Sequence, residues 1–117
     1  MLGGLAADVL ADEFGTPLYV YDEATVRAQC RGYVSALANT YPNSLALYAA
    51  KAYTDPEFLR VVADEGLGMD AVSSGEVRVA QAAGMPMDRI VLHGNNKLLA
   101  EINLALEAGV GRIVADS

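Results

Sequence analysis

The sequence predicts an α/β fold, the first half of a (β/α)8 TIM-like barrel in which parallel strands alternate with helices. Apolar runs recur about 22 residues apart, the length of one strand, one helix and two short loops. Units of this length require a parallel sheet, because a parallel strand pair needs a crossover. An open doubly wound sheet would show a glycine-rich turn after its first strand, and none follows the first run here. The four runs are Leu45–Ala50, Leu67–Val72, Ile90–Leu92 and Ile113–Ala115.

The length of the chain limits how much of this architecture is present. A chain of 117 residues accommodates one domain of normal size. A complete eight-stranded barrel takes roughly 250 residues, so we expect residues 1–117 to form a partial barrel domain, its N-terminal half. Before the repeat we predict a helix near Ala6–Glu13, a strand over Leu18–Tyr21 and a longer helix from Asp22 to about Asn39.

The first two helices of the repeat have recognisable start signals. Asp55 can cap a helix whose first residue is Pro56. Proline is tolerated at that position because a backbone N–H there would have no partner within the helix. Ser73 and Glu76 have the S-x-x-E spacing of a capping box. Glycines able to end a helix in the left-handed conformation follow all three helical runs of the repeat, at Gly66, Gly84 and Gly109.

Composition narrows the classes of partner. A formal charge of -7, from 15 acidic and 8 basic residues, argues against binding to nucleic acid or to an anionic membrane surface and favours small molecules. No apolar run approaches the ~20 residues that span a bilayer. Cys30 is the only cysteine, so an intramolecular disulfide and a thiolate metal cluster are both excluded, and no metal site is expected. We expect a cytoplasmic protein with a structural thiol at Cys30.

Lys51 is the first candidate for chemistry. It is one of only two lysines and directly follows the first apolar run. Strand alternation would place it on the same face as Leu45, Leu47 and Ala49, a face that points inward in a barrel. The C-terminal mouth of a barrel strand is where catalytic groups lie, and a lysine there can attack a carbonyl carbon. Alternatively, Lys51 is a strand-end lysine that extends into water.

The segment after the third run is a second candidate. His93 stands at the mouth of that strand, and a lone histidine in this position is either a loop residue or part of an active-site loop. Asn95 or Asn96 can cap a helix over Lys97–Ala108, or donate to the backbone of the same loop. Lys97 is most simply a surface residue at the helix start.

Four segments together resemble the fold-type III decarboxylases that depend on pyridoxal 5'-phosphate (PLP). Residues 48–52 read Y-A-A-K-A, which is similar to the Y-A-x-K-A segment of that family. Residues 14–22, F-G-T-P-L-Y-V-Y-D, and 68–76, G-M-D-A-V-S-S-G-E, also match in order and spacing. Residues 93–97 read H-G-N-N-K, the segment typical of diaminopimelate decarboxylases. The resemblance covers nearly the whole chain, with Met69 for Phe and Ser74 for Gly as departures.

The resemblance implies a function and a set of site residues. Lys51 would carry PLP, and Asp70, Ser73 and His93 would border the cofactor. His93 and Asn95 would also belong to the loop that closes over an amino-acid substrate. The implied reaction is decarboxylation of meso-diaminopimelate to lysine, with an ornithine or arginine decarboxylase of the same fold as the alternative. The family also implies a homodimer, with the phosphate site, the remaining barrel strands and a C-terminal β domain outside these residues. We therefore expect the 117-residue chain alone to lack turnover.

Other interpretations of the same residues remain open. Asp70 is a polar strand residue that an arginine could pair with, and Ser73 with Glu76 could serve only as a helix cap. A non-catalytic PLP-binding paralogue, or a structural module with an unmodified Lys51, would retain the same fold.

Overall fold

The computed structural model describes residues 1–116, which form one layer of parallel strands with helices packed beside it. In chain order the elements of these residues are α1 (Ala7–Phe14), α2 (Glu23–Thr40), β1 (Leu47–Ala49), α3 (Pro56–Asp64), β2 (Gly68–Ala71), α4 (Ser74–Ala82), β3 (Ile90–Leu92), α5 (Leu99–Ala108) and β4 (Arg112–Ile113). Two 3-10 turns lie between them, at Ala50–Ala52 and Met87–Arg89.

The sheet has the strand order β1-β2-β3-β4, and every neighbouring pair is parallel. Strands that follow one another in space in the same order as in sequence are those of a barrel, whereas a doubly wound sheet reverses its order. The predicted α/β class with a parallel repeat is confirmed, including all four strands of the repeat and both helices before it.

The two faces of the sheet differ in what covers them. Helices α3, α4 and α5 pack on one face, here called the covered face, through buried side chains such as Leu59, Val77 and Ala105. The buried strand residues on that face are Met69, Ala71, Ile90 and Leu92. Strand alternation turns the intervening residues to the opposite face, here called the open face and defined by Leu47, Ala49, Asp70, Val91 and Arg112.

The capping signals read from the sequence act as expected in α3 and α4. The Asp55 carboxylate accepts hydrogen bonds from the backbone N–H groups of Glu57 and Phe58, at 2.9 and 3.1 Å. The Ser73 hydroxyl oxygen accepts one from the backbone of Glu76 at 3.3 Å. The three predicted helix-ending glycines have φ of 90, 74 and 77°, a region that residues with a Cβ rarely adopt, at Gly66, Gly84 and Gly109.

Three local predictions are wrong. Residues 18–21 form no strand, because no other strand among the described residues hydrogen-bonds to them. The first strand of the repeat was predicted over Leu45–Ala50, but β1 ends at Ala49 and a 3-10 turn begins at Ala50. Helix α5 begins at Leu99 with Leu98 as its N-cap residue, so neither Asn95 nor Asn96 caps it. The Glu101 carboxylate instead accepts the backbone N–H of Leu98 at 3.1 Å.

The described residues also have an extended shape. Their radius of gyration is 16.3 Å, compared with about 13 Å for a compact domain of this length. Within residues 1–116, no helix combines the length and the apolar character needed to cross a bilayer.

Candidate active site

The carboxyl ends of the four strands form one edge of the sheet, here called the mouth. Lys51, Ser73, His93 and Asn95 lie in the segments that follow the strands at this edge, and Asp70 lies near the end of β2. In parallel α/β barrels this edge holds the reacting groups, because the loops that follow the strands converge there. The mouth is therefore the candidate active site.

Lys51 lies in the 3-10 turn that follows β1, so strand alternation does not extend to it as predicted. Two side chains tie the turn together. The Tyr48 hydroxyl donates to the backbone carbonyl of Tyr53 at 2.9 Å, and the Thr54 hydroxyl donates to that of Ala50 at 2.6 Å. Burial raises the pKa of the Tyr48 phenol, so this group remains a protonated donor.

The Lys51 amine is exposed and makes no hydrogen bond or ion pair with any residue from 1 to 116. A primary amine on a short, tied turn is held near one place while its nitrogen is available to a ligand. This arrangement fits covalent attachment of a carbonyl compound, because no partner has to be displaced first.

Asp70 belongs to β2 and points to the open face. Its side chain is 33% exposed, and Oδ1 lies 3.9 Å from Nδ1 of His93. No arginine among residues 1–116 lies within ion-pair distance of Asp70. Its one ion-pair neighbour among residues 1–116 is His93, another mouth residue.

His93 directly follows β3 and is placed by its backbone, whose N–H donates to the carbonyl of Ala71 at 2.8 Å. Its Nε2 lies 3.5 Å from Oδ2 of Asp116, a residue just beyond β4. With Asp70 near the other ring nitrogen, the imidazole stands between two carboxylates. The structure thus brings together side chains from the ends of three consecutive strands.

Lys97 is not the surface residue that was predicted. Its side chain is only 11% exposed, and its amine donates to Oδ1 of Asp116 at 2.9 Å and to the backbone carbonyl of Gly94. The hydrogen bond from Lys97 is the main cause that lowers the pKa of the Asp116 carboxyl, which stays charged under ordinary conditions. Sequence reasoning missed Asp116 altogether, although this residue directly follows the last predicted strand, Ile113–Ala115.

Ser73 lies at the mouth as the cap of α4, and its oxygen is occupied by that role. Next to it, the Glu101 carboxylate accepts the backbone N–H of Ser74 at 3.1 Å and that of Leu98 at 3.1 Å. These hydrogen bonds lower the pKa of Glu101 and join the starts of α4 and α5. Asn95 is exposed in the loop between His93 and Lys97.

The other reactive groups of the described chain lie away from this edge or form no cluster. Cys30 is buried in α2, where burial raises the pKa of its thiol, as expected for a structural cysteine. Within residues 1–116, no three His, Cys, Asp or Glu side chains are placed so that they could hold a metal ion.

Comparison with known proteins gives a consistent result. Residues 23–117 match the family model described as pyridoxal-dependent decarboxylase, pyridoxal binding domain. A diaminopimelate decarboxylase of Actinosynnema pretiosum subsp. auranticum is 46% identical over 117 residues, which is 100% of this chain and 26% of that protein. The chain therefore spans about a quarter of the length of the curated relatives it matches.

Solved structures show the same fold. The crystal structure of diaminopimelate decarboxylase from M. jannaschii in co-complex with L-lysine has a TM-score of 0.90 at 32% identity, over 100% of this chain and 31% of that one. A lysine/ornithine decarboxylase from Vibrio vulnificus, complexed with putrescine, has a TM-score of 0.79 at 30% identity, over 97% and 32%.

Proposed function

This chain belongs to the pyridoxal-dependent decarboxylase family, and from that premise we propose that it is the lysine-bearing part of a PLP-dependent diaminopimelate decarboxylase. In this proposal residues 1–117 are part of the PLP-binding barrel domain. Lys51 attaches the cofactor, and the product of decarboxylation is lysine. The family model and the relatives' names support this assignment.

One observation carries the proposal within the structure, namely the contrast between the two lysines at the mouth. The Lys97 amine is largely buried and donates to two acceptors, whereas the Lys51 amine is exposed and unpaired among the described residues. Attack on an aldehyde carbon requires an accessible nitrogen. Lys51 meets this requirement and Lys97 does not.

Other groups at the mouth fit the chemistry that PLP needs. When bound, PLP supplies an electron sink for the pair left behind as carbon dioxide departs. Asp70 and His93 offer a charged oxygen and a titratable nitrogen at the same edge, which can hold or move a proton. Ser73 caps α4 beside them, and we propose that it borders the cofactor.

Substrate choice is proposed to depend on the loop that contains His93 and Asn95. This loop reads H-G-N-N-K in the present chain. Two relatives that match over 100% and 99% of the chain are named diaminopimelate decarboxylases. The similarity to a lysine/ornithine decarboxylase favours, as a second candidate, a related substrate with only one amino-acid head group. The full-length protein is further proposed to act as a homodimer on a small amino acid, without nucleic acid or membrane, and in the cytoplasm.

Decarboxylation by the full-length protein tests the proposal. We expect carbon dioxide release from meso-diaminopimelate in preference to ornithine or arginine, measured in competition, since only diaminopimelate presents a second amino-acid head group. Lys51→Ala should reduce the rate by roughly 10²–10⁴-fold, the range seen when a group acting directly in the reaction is removed. Asp12→Asn, an exposed change in α1, serves as the control.

Two outcomes would contradict parts of this assignment. If ornithine is turned over faster than diaminopimelate, ornithine is the substrate, and the proposed cofactor site is unaffected. If the Lys51→Ala variant turns over substrate at the wild-type rate, Lys51 does not take part in the reaction.

A further inference from the structure

A line of ionisable side chains crosses the mouth and joins the ends of β2, β3 and β4. Asp70 faces one nitrogen of His93 at 3.9 Å, Asp116 faces the other at 3.5 Å, and Lys97 donates to Asp116 at 2.9 Å. These four residues are here called the charged line. Only the contact between Lys97 and Asp116 is short enough to be a hydrogen bond within it.

At 3.9 and 3.5 Å, the two contacts of His93 are too long to orient the ring as hydrogen bonds would. An imidazole held by such contacts takes its position from the carboxylates on each side of it, so a displaced carboxylate displaces the ring. Asp70 is fixed by its place in β2. Asp116 lies beyond the end of β4 and has no such support from the sheet.

Lys97 supplies the missing support for Asp116. It donates to Oδ1 and leaves Oδ2 facing His93, so the two carboxylate oxygens have separate partners. Lys97 also donates to the carbonyl of Gly94, the residue after His93, which closes the loop around the same amine. Burying an ammonium is costly unless it is paired, and Lys97, at 11% exposure, is paired at both contacts.

We propose that Lys97 is a positioning residue, which acts through Asp116 to hold the His93 ring at the mouth. The importance of that ring for catalysis rests on the proposed function, whereas its placement by Lys97 does not. The line also explains why two lysines at one edge have different roles, since Lys97 is committed to the loop and Lys51 is left available.

The chain provides a direct probe, because His93 is its only histidine. Its ring protons give the only imidazole signals in an NMR spectrum, and they can be followed without cofactor in the 117-residue chain. We expect Lys97→Met and Asp116→Asn to move these signals toward those of a free histidine. Lys97→Arg, which keeps a donor and a positive charge, should restore most of the wild-type position.

A pH profile adds a readout that loss of packing alone would not produce. The Asp116 carboxyl has a lowered pKa because Lys97 donates to it, and the neighbouring imidazole protons sense its titration. His93 and Lys97 are the ionisable groups that face Asp116, and Asp70 is the second carboxylate that faces His93. In Lys97→Met the low-pH step of the His93 signals should move to higher pH, and in Lys97→Arg it should stay in place.

Asp12→Asn in α1 is the matched carboxylate control and should leave every His93 signal unchanged. The inference is overturned if Lys97→Met keeps both the ring signals and the low-pH step of the wild type. It is also overturned if Lys97→Arg deviates as far as Lys97→Met, since the amine's charge would then not be what holds the ring. Neither result bears on attachment of PLP to Lys51, so the proposed function stands or fails separately.

Discussion

The two faces of the sheet divide stability from chemistry. On the covered face Met69, Ile90 and Leu92 are at most 1% exposed, and no polar residue is buried with them. On the opposite side, Leu47 is 39% exposed and the Asp70 side chain 33%. Closely packed apolar residues hold the strands together, while the open face and its mouth keep titratable groups within reach of a ligand. The same four strands thus support two different kinds of residue.

The largest expected difference between the faces comes from truncation of neighbouring strand residues. Met69→Ala removes a fully buried side chain and should lower the free energy of unfolding by about 2–5 kcal/mol. Leu47→Ala on the open face should cost about 1 kcal/mol, since much of this side chain is already in water. Urea unfolding followed by circular dichroism measures both. Equal losses would show that the open face is packed as tightly as the covered one.

Gly68 also points to the open face, but we expect a larger residue at this position to destabilise the fold. A Cβ at this position would lie 2.2 Å from the backbone carbonyl oxygen of Arg89, which cannot move without shifting the start of β3. Gly68→Ala should therefore cost about 1–3 kcal/mol. At Gly32 in α2, an added Cβ would have no atom within 4 Å apart from its chain neighbours and the backbone of its own helix. Gly32→Ala should therefore stabilise the chain by about 0.5–1 kcal/mol. The same urea experiment tests the pair, and stabilisation by Gly68→Ala would contradict the geometry.

A smaller effect is expected at the helices that cover the sheet. Asp55 accepts two backbone N–H groups at the start of α3, and Asp55→Ala leaves both without that partner. The expected loss is about 1 kcal/mol in the free energy of unfolding. Asp55→Asn keeps an acceptor and should retain most of the stability. If both variants lose the same amount, the negative charge rather than the cap is what stabilises α3.

The smallest effect concerns pH and Glu101. Two backbone N–H groups hold the pKa of this carboxyl below its ordinary value, so its charged form stabilises the fold above the unfolded pKa. That contribution is lost as pH falls through the folded value. The thermal midpoint should drop less on acidification in Glu101→Gln than in the wild type, with Glu107→Gln, an exposed change in the same helix, as the control. Identical acid profiles for the wild type and Glu101→Gln would remove this link between α4 and α5.

Features with local causes were predictable from the sequence. The caps at Asp55 and Ser73 and the helix ends at Gly66 and Gly84 depend on residues within one turn, and all four have the expected geometry. The parallel repeat was also predictable, because its spacing is encoded in the apolar runs. Lys51 and His93 were placed at the mouth for the same reason.

Features with distant causes were not predictable. Residues 18–21 have the composition of a strand, but a strand needs a partner, and none hydrogen-bonds to them in the described chain. From the sequence alone Lys97 resembles a surface lysine, because its hydrogen-bond partner Asp116 is 19 residues away in sequence. The structure supplies this contact by bringing the end of β4 beside the loop after β3.

Covalent attachment of PLP distinguishes Lys51 from Lys97 directly, because the chain has only these two lysines. The 117-residue chain would be incubated with PLP, reduced with borohydride and digested with trypsin, which does not cleave after a modified lysine. We expect a pyridoxyl adduct at Lys51, found in a peptide spanning residues 32–60, and an unmodified Lys97. An adduct at Lys97, in a peptide spanning 90–112, with Lys51 unmodified would contradict it.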